Sequence, residues 1–177
     1  MKRSVFLLAT LVACGCASAP SRRAAAPAPE RAPAGDPVEQ GVALYQQGRY
    51  AEAAATLAST SGVRALAYLA ASRVRLKQYA QAEAAALKAL EASPAHAVAS
   101  AALGEALVAQ GKLDEAIRRL STVIQLAPRL PYAHYWRGQA YQRKRQVARM
   151  ADDYRAFLRL APEAPEAPAV RTLLGSL

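Results

Sequence analysis

The sequence predicts an all-α protein, and its composition and internal period carry that prediction. Hydrophobic residues make up 53% of the 177 residues. Much of this fraction is alanine, whereas β-branched and aromatic residues are sparse, a balance that favours helix over sheet. Pro94, Pro128 and Pro162 fall 34 residues apart, and Gly104 and Gly138 repeat the same spacing. A constant period of this length is typical of proteins built from stacked helical units.

The predicted helical domain begins at Asp36 and continues to Leu177. Asp36 suits an N-cap, Pro37 the first helical position and Glu39 the third, a combination that opens helices. A chain of this length holds one ordinary domain with a core of moderate size. The sequence therefore predicts a single folded domain over residues 36–177.

The repeated unit resembles the tetratricopeptide repeat, a pair of helices spanning about 34 residues. In the unit after Ala97 the resemblance is carried by Leu103, Gly104, Leu107, Gly111, Leu113, Ala116, Leu120, Val123 and Pro128. In the next unit it is carried by Trp136, Gly138, Tyr141, Tyr154, Phe157 and Pro162, although Met150 replaces a small alanine and Arg145 the turn glycine. The resemblance implies a right-handed α-solenoid of about four helix-turn-helix repeats, with Gly104, Ala116 and Gly138 letting paired helices approach closely.

Both ends of the repeat array depart from the regular unit. The second helix of the first unit is predicted to end early, at residues 59–62, because that segment is rich in serine, threonine and glycine. At the other end, Val170, Leu173, Leu174 and Leu177 have the spacing of one apolar helix face. They predict a C-terminal helix that caps the last repeat.

The first 13 residues read as a bacterial signal peptide of the lipoprotein type. Lys2 and Arg3 precede an apolar run from Val5 to Val12, which is shorter than the roughly 20 residues that a membrane-spanning helix needs. Residues 11–14 (LVAC) resemble the lipobox, which implies that Cys14 carries the lipid and begins the mature chain. Cleavage after residues 17–19 (ASA) is the alternative, but Pro20 would then follow the cut.

Residues 14–35 are predicted to form a lipidated N-terminus and a linker rich in alanine, proline and arginine. Residues 17–35 of this segment have no large apolar side chain to bury, so they favour an extended tether. By resemblance to Gram-negative lipoproteins, Gly15 in place of an aspartate implies the outer membrane, with the domain facing the periplasm.

No catalytic, cofactor-binding or metal-binding pattern stands out, so we expect a protein that is not an enzyme and needs no cofactor. The standard nucleotide-binding, hydrolase and zinc motifs are missing from the sequence. His96 and His134 have no metal-ligand spacing, and we expect structural or surface roles for them. Asp152 and Asp153 are adjacent on a helix and are expected to form a solvated face.

By resemblance to the repeat family, candidate binding residues lie on the first helix of each repeat, facing a concave surface. These positions are Tyr45, Arg64, Ala71, Arg75, Val98, Glu105, Val108, Tyr132, Tyr135, Gln139, Gln142 and Arg143. Their mixture of tyrosine, arginine and small apolar residues suits a groove that binds a peptide or helix. A featureless solvated face remains the alternative, because repeats alone do not prove binding.

The expected function is a membrane-anchored scaffold or adaptor in envelope assembly, with envelope proteins or peptides as partners. Lipoproteins with a similar architecture include pilotins, scaffolds for cell-wall hydrolases and an accessory protein of outer-membrane barrel assembly. The formal charge of +10 leaves a second class open, in which Arg64, Arg73, Arg75, Lys77 and residues 143–145 bind an anionic envelope polymer or lipid. Nucleic acid is not expected, because the leader argues against the cytosol.

Overall fold

The computed structural model describes residues 35–177. The predicted leader, Cys14, Cys16 and the linker up to residue 34 lie outside the described residues. Within them the chain forms nine α-helices and no strand. The helices are α1 (Pro37–Gln46), α2 (Tyr50–Ala58), α3 (Val63–Arg75), α4 (Tyr79–Ala92), α5 (Ala97–Ala109), α6 (Leu113–Leu126), α7 (Pro131–Arg143), α8 (Val147–Leu160) and α9 (Ala167–Gly175).

The first eight helices form four successive pairs, which confirms the predicted repeat architecture. Each second helix packs against the first helix of its own pair and against the first helix of the next pair. The first helices α1, α3, α5 and α7 also contact one another in chain order and form one continuous layer. The result is an α-solenoid of four repeats, closed by α9 against α8.

The turn inside each pair has the same backbone conformation in all four repeats. Gly48 and Gly111 adopt positive φ angles of 77° and 76°, a conformation that glycine reaches without steric cost. Lys77 and Arg145 occupy the equivalent turns with φ of 59°. The packed helices on either side therefore impose the left-handed conformation even where glycine is absent.

Small residues set the distance between packed helices. Ala116 is fully buried, as the repeat register predicts. A Cβ atom on Gly138 would lie 2.8 Å from the ring of Tyr154, in the partner helix of the same repeat. A Cβ atom on Gly104 would lie 2.7 Å from Cβ of Trp136, so this glycine lets α5 approach α7 of the following repeat rather than its own partner α6.

The ends of the solenoid follow the predicted pattern except at the last residue. The Asp36 side chain accepts a hydrogen bond from Val38 N–H and caps α1. The helix α2 has only nine residues, in agreement with a truncated first repeat. Val170, on α9, is buried, but the helix ends at Gly175 and Leu177 is 63% exposed. Including Leu177 in the apolar face was therefore wrong.

The prediction of a solvated face at Asp152 and Asp153 is correct for Asp152 and wrong for Asp153. Asp153 is 3% exposed and accepts hydrogen bonds from Nε and Nη2 of Arg137, at 2.8 and 2.7 Å. His134, also buried, places Nδ1 3.1 Å from the same carboxylate and Nε2 3.1 Å from the carbonyl oxygen of Pro128. Asp153 thus joins α8 to α7 and, through His134, to the turn before α7.

Candidate functional site

The layer of first helices bounds an open groove of about 430 Å³. Its walls come from α1, α3, α5 and α7, and Glu166, at the start of α9, closes one side. The aromatic lining residues are Tyr45, Tyr68, Tyr132, Tyr135 and Trp136, and the charged ones are Arg75, Glu105 and Glu166. The groove therefore draws on all four repeats and combines large rings with both signs of charge.

The aromatic rings support one another in two groups, at opposite ends of the repeat array. On the first repeats, Tyr45 and Tyr68 pack edge to face with ring centroids 5.5 Å apart. On the last repeat, Tyr135 lies 5.0 Å from Trp136 and 6.1 Å from Tyr132. Rings held in this way present contact area to a ligand with little further loss of conformational freedom.

Between the two aromatic groups, α5 presents small side chains. Ala97, Val98, Ala101 and Ala102 line this part of the groove. Since no large side chain of α5 fills the space, the middle of the groove stays open to a ligand backbone or side chain. Glu105, one turn further along the helix, supplies the polar group there.

The charged side chains are incompletely paired. Nη1 of Arg75 lies 3.4 Å from Oε1 of Glu105, a long contact, and the Glu105 side chain is 22% exposed. Burial raises the pKa of Glu105 above its ordinary value; the nearby Arg75 opposes this shift and repulsion from Glu166 adds to it. The groove therefore holds Glu105 in surroundings that penalise its negative charge.

Tyr132 and Glu166 form the polar edge of the groove. The Tyr132 hydroxyl donates a hydrogen bond of 3.0 Å to Oε2 of Glu166. Burial, together with this hydrogen bond, raises the pKa of Tyr132 to about 12. The hydroxyl therefore remains a donor throughout the physiological pH range, and it fixes the carboxylate at the groove margin.

The structure divides the predicted site residues into two sets. Tyr45, Arg75, Glu105, Tyr132 and Tyr135 come together in the groove, along with Ala71 and Val98. The others support the fold around it. Arg64 pairs with Glu39, and Arg143 donates to the backbone carbonyl of Val108. The Gln139 amide donates a hydrogen bond of 2.8 Å to the Tyr135 hydroxyl. The Gln142 amide oxygen accepts one of 2.6 Å from the Tyr154 hydroxyl.

Reasoning from the sequence missed seven groove residues: Tyr68, Val74, Ala97, Ala101, Ala102, Trp136 and Glu166. A signal for two of them was present. Tyr68 and Trp136 are two repeat periods apart, and each follows a predicted position, Arg64 or Tyr132, by four residues. Such a step returns to the same helix face. Glu166 belongs to the capping segment, so the register of the first helices could not indicate it.

Several cations of the alternative basic surface are engaged within the fold. Arg64 pairs with Glu39, Arg75 with Glu105 and Lys144 with Asp114. Arg143 is bound to the carbonyl of Val108. The three ion pairs reduce the charge that this set could offer to an anionic polymer, and the hydrogen bond to Val108 occupies the Arg143 guanidinium within the fold.

A metal cluster and a membrane-spanning helix are both absent from the described residues. Over residues 35–177, no group of three or more histidine, cysteine, aspartate or glutamate side chains is placed to hold a metal ion. None of the helices in this part of the chain is long and apolar enough to cross a membrane.

Stacked helix pairs with a concave groove define a helical-repeat protein of the class that presents extended binding surfaces. Comparison with family models identifies the repeat: the model described as tetratricopeptide repeat matches residues 69–120, and the model described as TPR repeat matches residues 104–144. Residues 69–144 therefore match tetratricopeptide-repeat models.

Solved structures show the same fold at low sequence identity. TTC0263, a thermophilic TPR protein of Thermus thermophilus, is 23% identical, with a TM-score of 0.65 over 79% of this chain and 78% of that one. MamA of Desulfovibrio magneticus RS-1 is 22% identical, with a TM-score of 0.62 over 80% and 84%. YrrB, described as a TPR protein with an unusual peptide-binding site, is 21% identical, with a TM-score of 0.62 over 75% and 71%. No curated protein sequence matches the chain.

Proposed function

We propose that the protein is a membrane-anchored adaptor of the bacterial envelope that captures a peptide segment of another protein in the groove. The observation that carries the proposal is the groove itself, in which braced aromatic rings flank an alanine-lined centre. This combination suits an extended or helical segment with bulky side chains, because the rings supply anchor sites and the centre leaves room for the backbone. YrrB, a structural neighbour, is described as having a peptide-binding site, which supports the same use here.

We infer that the protein acts by binding and not by catalysis. The charged groups of the groove are Arg75, Glu105 and Glu166. They are carboxylates and a guanidinium set among tyrosines, and the raised pKa of the Tyr132 hydroxyl, which donates to Glu166, keeps that hydroxyl protonated. Such a set serves recognition better than bond making or breaking.

Filling the groove tests this proposal. Ala101 lines its centre and is partly exposed, so Ala101→Gln adds a side chain where the ligand would lie while keeping a good helix former. We expect affinity for a partner recovered by crosslinking from the native envelope to fall by about tenfold or more, or about 1.4 kcal/mol. Isothermal calorimetry with the purified partner measures the change.

The matched control is Ala109→Gln, an exposed site on the same helix that does not line the groove. It should bind like the wild type, and both variants should keep the helical circular dichroism signal. If the folded Ala101→Gln protein binds as tightly as Ala109→Gln, the partner uses another surface and the proposal fails.

The membrane part of the proposal rests on the leader. Residues 11–14 resemble a lipobox ending at Cys14, and the apolar run stops immediately before it. We propose that acylated Cys14 holds the domain at the outer membrane, facing the periplasm. Several acyl chains on one cysteine give stable anchoring, whereas a single chain binds only marginally.

Cys14→Ser is therefore expected to release the protein from membranes or to leave an uncleaved precursor, because serine offers no thiol for acylation. Fractionation of cells, together with incorporation of labelled palmitate, measures both effects. Cys16→Ser is the control and should remain membrane-bound. Label entering the Cys14→Ser protein as strongly as the wild type would contradict this part of the account.

A further inference from the structure

The groove and the rest of the described domain differ in the sign of their charge. Residues 35–177 contain 18 lysine and arginine residues against 12 aspartate and glutamate residues, a net charge of +6. The charged residues of the groove are Glu105, Glu166 and Arg75, so the groove itself is net negative. A negative groove in a positive domain indicates the charge of its ligand.

We propose that the groove selects a partner segment bearing arginine or lysine, whose cationic group enters between the tyrosine rings and meets Glu105 and Glu166. The inference rests on the proposed function and names the chemical class of the partner: a basic peptide segment.

The carboxylates retain capacity to accept hydrogen bonds from such a group. An ionised carboxylate has about four acceptor positions on two oxygens. In the described part of the chain, Glu166 accepts one hydrogen bond, from the Tyr132 hydroxyl to Oε2, which leaves Oε1 for a ligand. Glu105 has only the long 3.4 Å contact with Arg75, whose side chain is 48% exposed. A ligand guanidinium or ammonium would therefore add charge-assisted hydrogen bonds rather than replace existing ones.

Burial of Glu105 favours the same ligand. Removal from water disfavours its negative charge, and repulsion from Glu166 adds to this effect. A cation placed between the two carboxylates relieves both penalties at once. An acidic peptide would increase the repulsion, and only Arg75 could compensate it.

The aromatic walls also suit a cationic side chain. Tyr132, Tyr135 and Trp136 lie side by side on α7, across the groove from Tyr45 and Tyr68. Cations are attracted to the faces of such rings, and the methylene stem of arginine or lysine packs against them. Recognition would thus combine ring contacts along the stem with carboxylates at its end.

Long-range and local electrostatics make opposite predictions, which makes the inference testable. The net charge of the domain would draw acidic peptides, but over distances beyond about 8 Å this attraction is screened at physiological ionic strength. The carboxylates of the groove act at contact distance and would select basic peptides. The sign of the preferred peptide charge therefore distinguishes the two effects.

The experiment is a selection of displayed random dodecapeptides on the full-length chain in detergent at physiological ionic strength, with counter-selection on Ala101→Gln to retain groove-dependent peptides. We expect enrichment in arginine and lysine and depletion of aspartate and glutamate. For individual selected peptides, measured by fluorescence anisotropy, the double variant Glu105→Gln/Glu166→Gln should weaken binding by about tenfold or more, as expected for loss of hydrogen bonds to charged groups.

The matched control is Glu91→Gln/Glu163→Gln, which changes the net charge equally at two exposed sites outside the groove and should leave binding unchanged. Groove-dependent peptides without basic enrichment, or equal binding by the two double variants, would overturn the inference while the proposed function stands. Failure to recover any groove-dependent peptide would instead contradict the proposed function itself.

Discussion

Replacing Asp153 with alanine is expected to lower the free energy of unfolding by about 3–5 kcal/mol, the range for removing one partner of a buried charge pair. The carboxylate is 3% exposed and receives two hydrogen bonds from Arg137. Its loss leaves the guanidinium, whose side chain is 19% exposed, without its anion. His134 loses a contact of 3.1 Å at the same time. Urea denaturation followed by circular dichroism measures the change.

Asp152→Ala is the matched control, because it removes the same side chain one residue earlier. The Asp152 side chain is 79% exposed and pairs only with the exposed Arg155. We expect its effect to stay within about 0.5 kcal/mol, as for ordinary surface substitutions. Equal destabilisation by the two variants would show that Asp153 is not the buried centre of this network.

Ala116→Glu is the second substitution with a large expected effect, a loss of about 3–5 kcal/mol in the free energy of unfolding. Ala116 has no exposed surface and lies in the core beside other small residues. A longer side chain would force the helices apart, and its carboxylate would be buried without a partner. The midpoint of urea unfolding should therefore fall sharply.

Ala84→Glu provides the comparison, since Ala84 is an exposed alanine in the second helix of the preceding repeat. Its effect should be small, because glutamate is a good helix former and the side chain remains in water. If Ala116→Glu were tolerated as well as Ala84→Glu, the close packing derived from the repeat register would be wrong.

The fold could be predicted because the same packing requirements recur at the same positions of each repeat. Small residues must recur where helices cross, and Ala116, at a position where the repeat register predicts one, is fully buried. The turn glycines were less reliable guides. Lys77 and Arg145 adopt the positive φ of Gly48 and Gly111, since tertiary packing imposes a conformation that the local residue does not prefer.

The groove was only partly predictable, because the sequence register gives the face of a helix but not the path of a long side chain. Tyr45, Glu105 and Tyr135 lie where the register predicts them. Arg143 occupies the predicted helix but reaches back to the carbonyl of Val108 at the end of α5. There it holds adjacent repeats together, outside the groove lining.

Contacts between distant segments account for the remaining misses. Asp153 was assigned to solvent because neighbouring helical residues diverge, but its partners Arg137 and His134 are 16 and 19 residues away on α7. Glu166 reaches the groove only because the segment after α8 folds back toward Tyr132. No local pattern specifies either arrangement.

The central claim, that the groove of first helices is the binding surface, is tested most directly by site-specific photocrosslinking in the native envelope. Benzoylphenylalanine at Tyr68 places an aromatic probe in the groove, and the same probe at Lys88 lies on the exposed side of α4. We expect a discrete, light-dependent adduct from position 68 that disappears when Ala101→Gln is added, and none from position 88. An adduct from position 88 alone, or one from position 68 that persists with Ala101→Gln, would contradict the central claim.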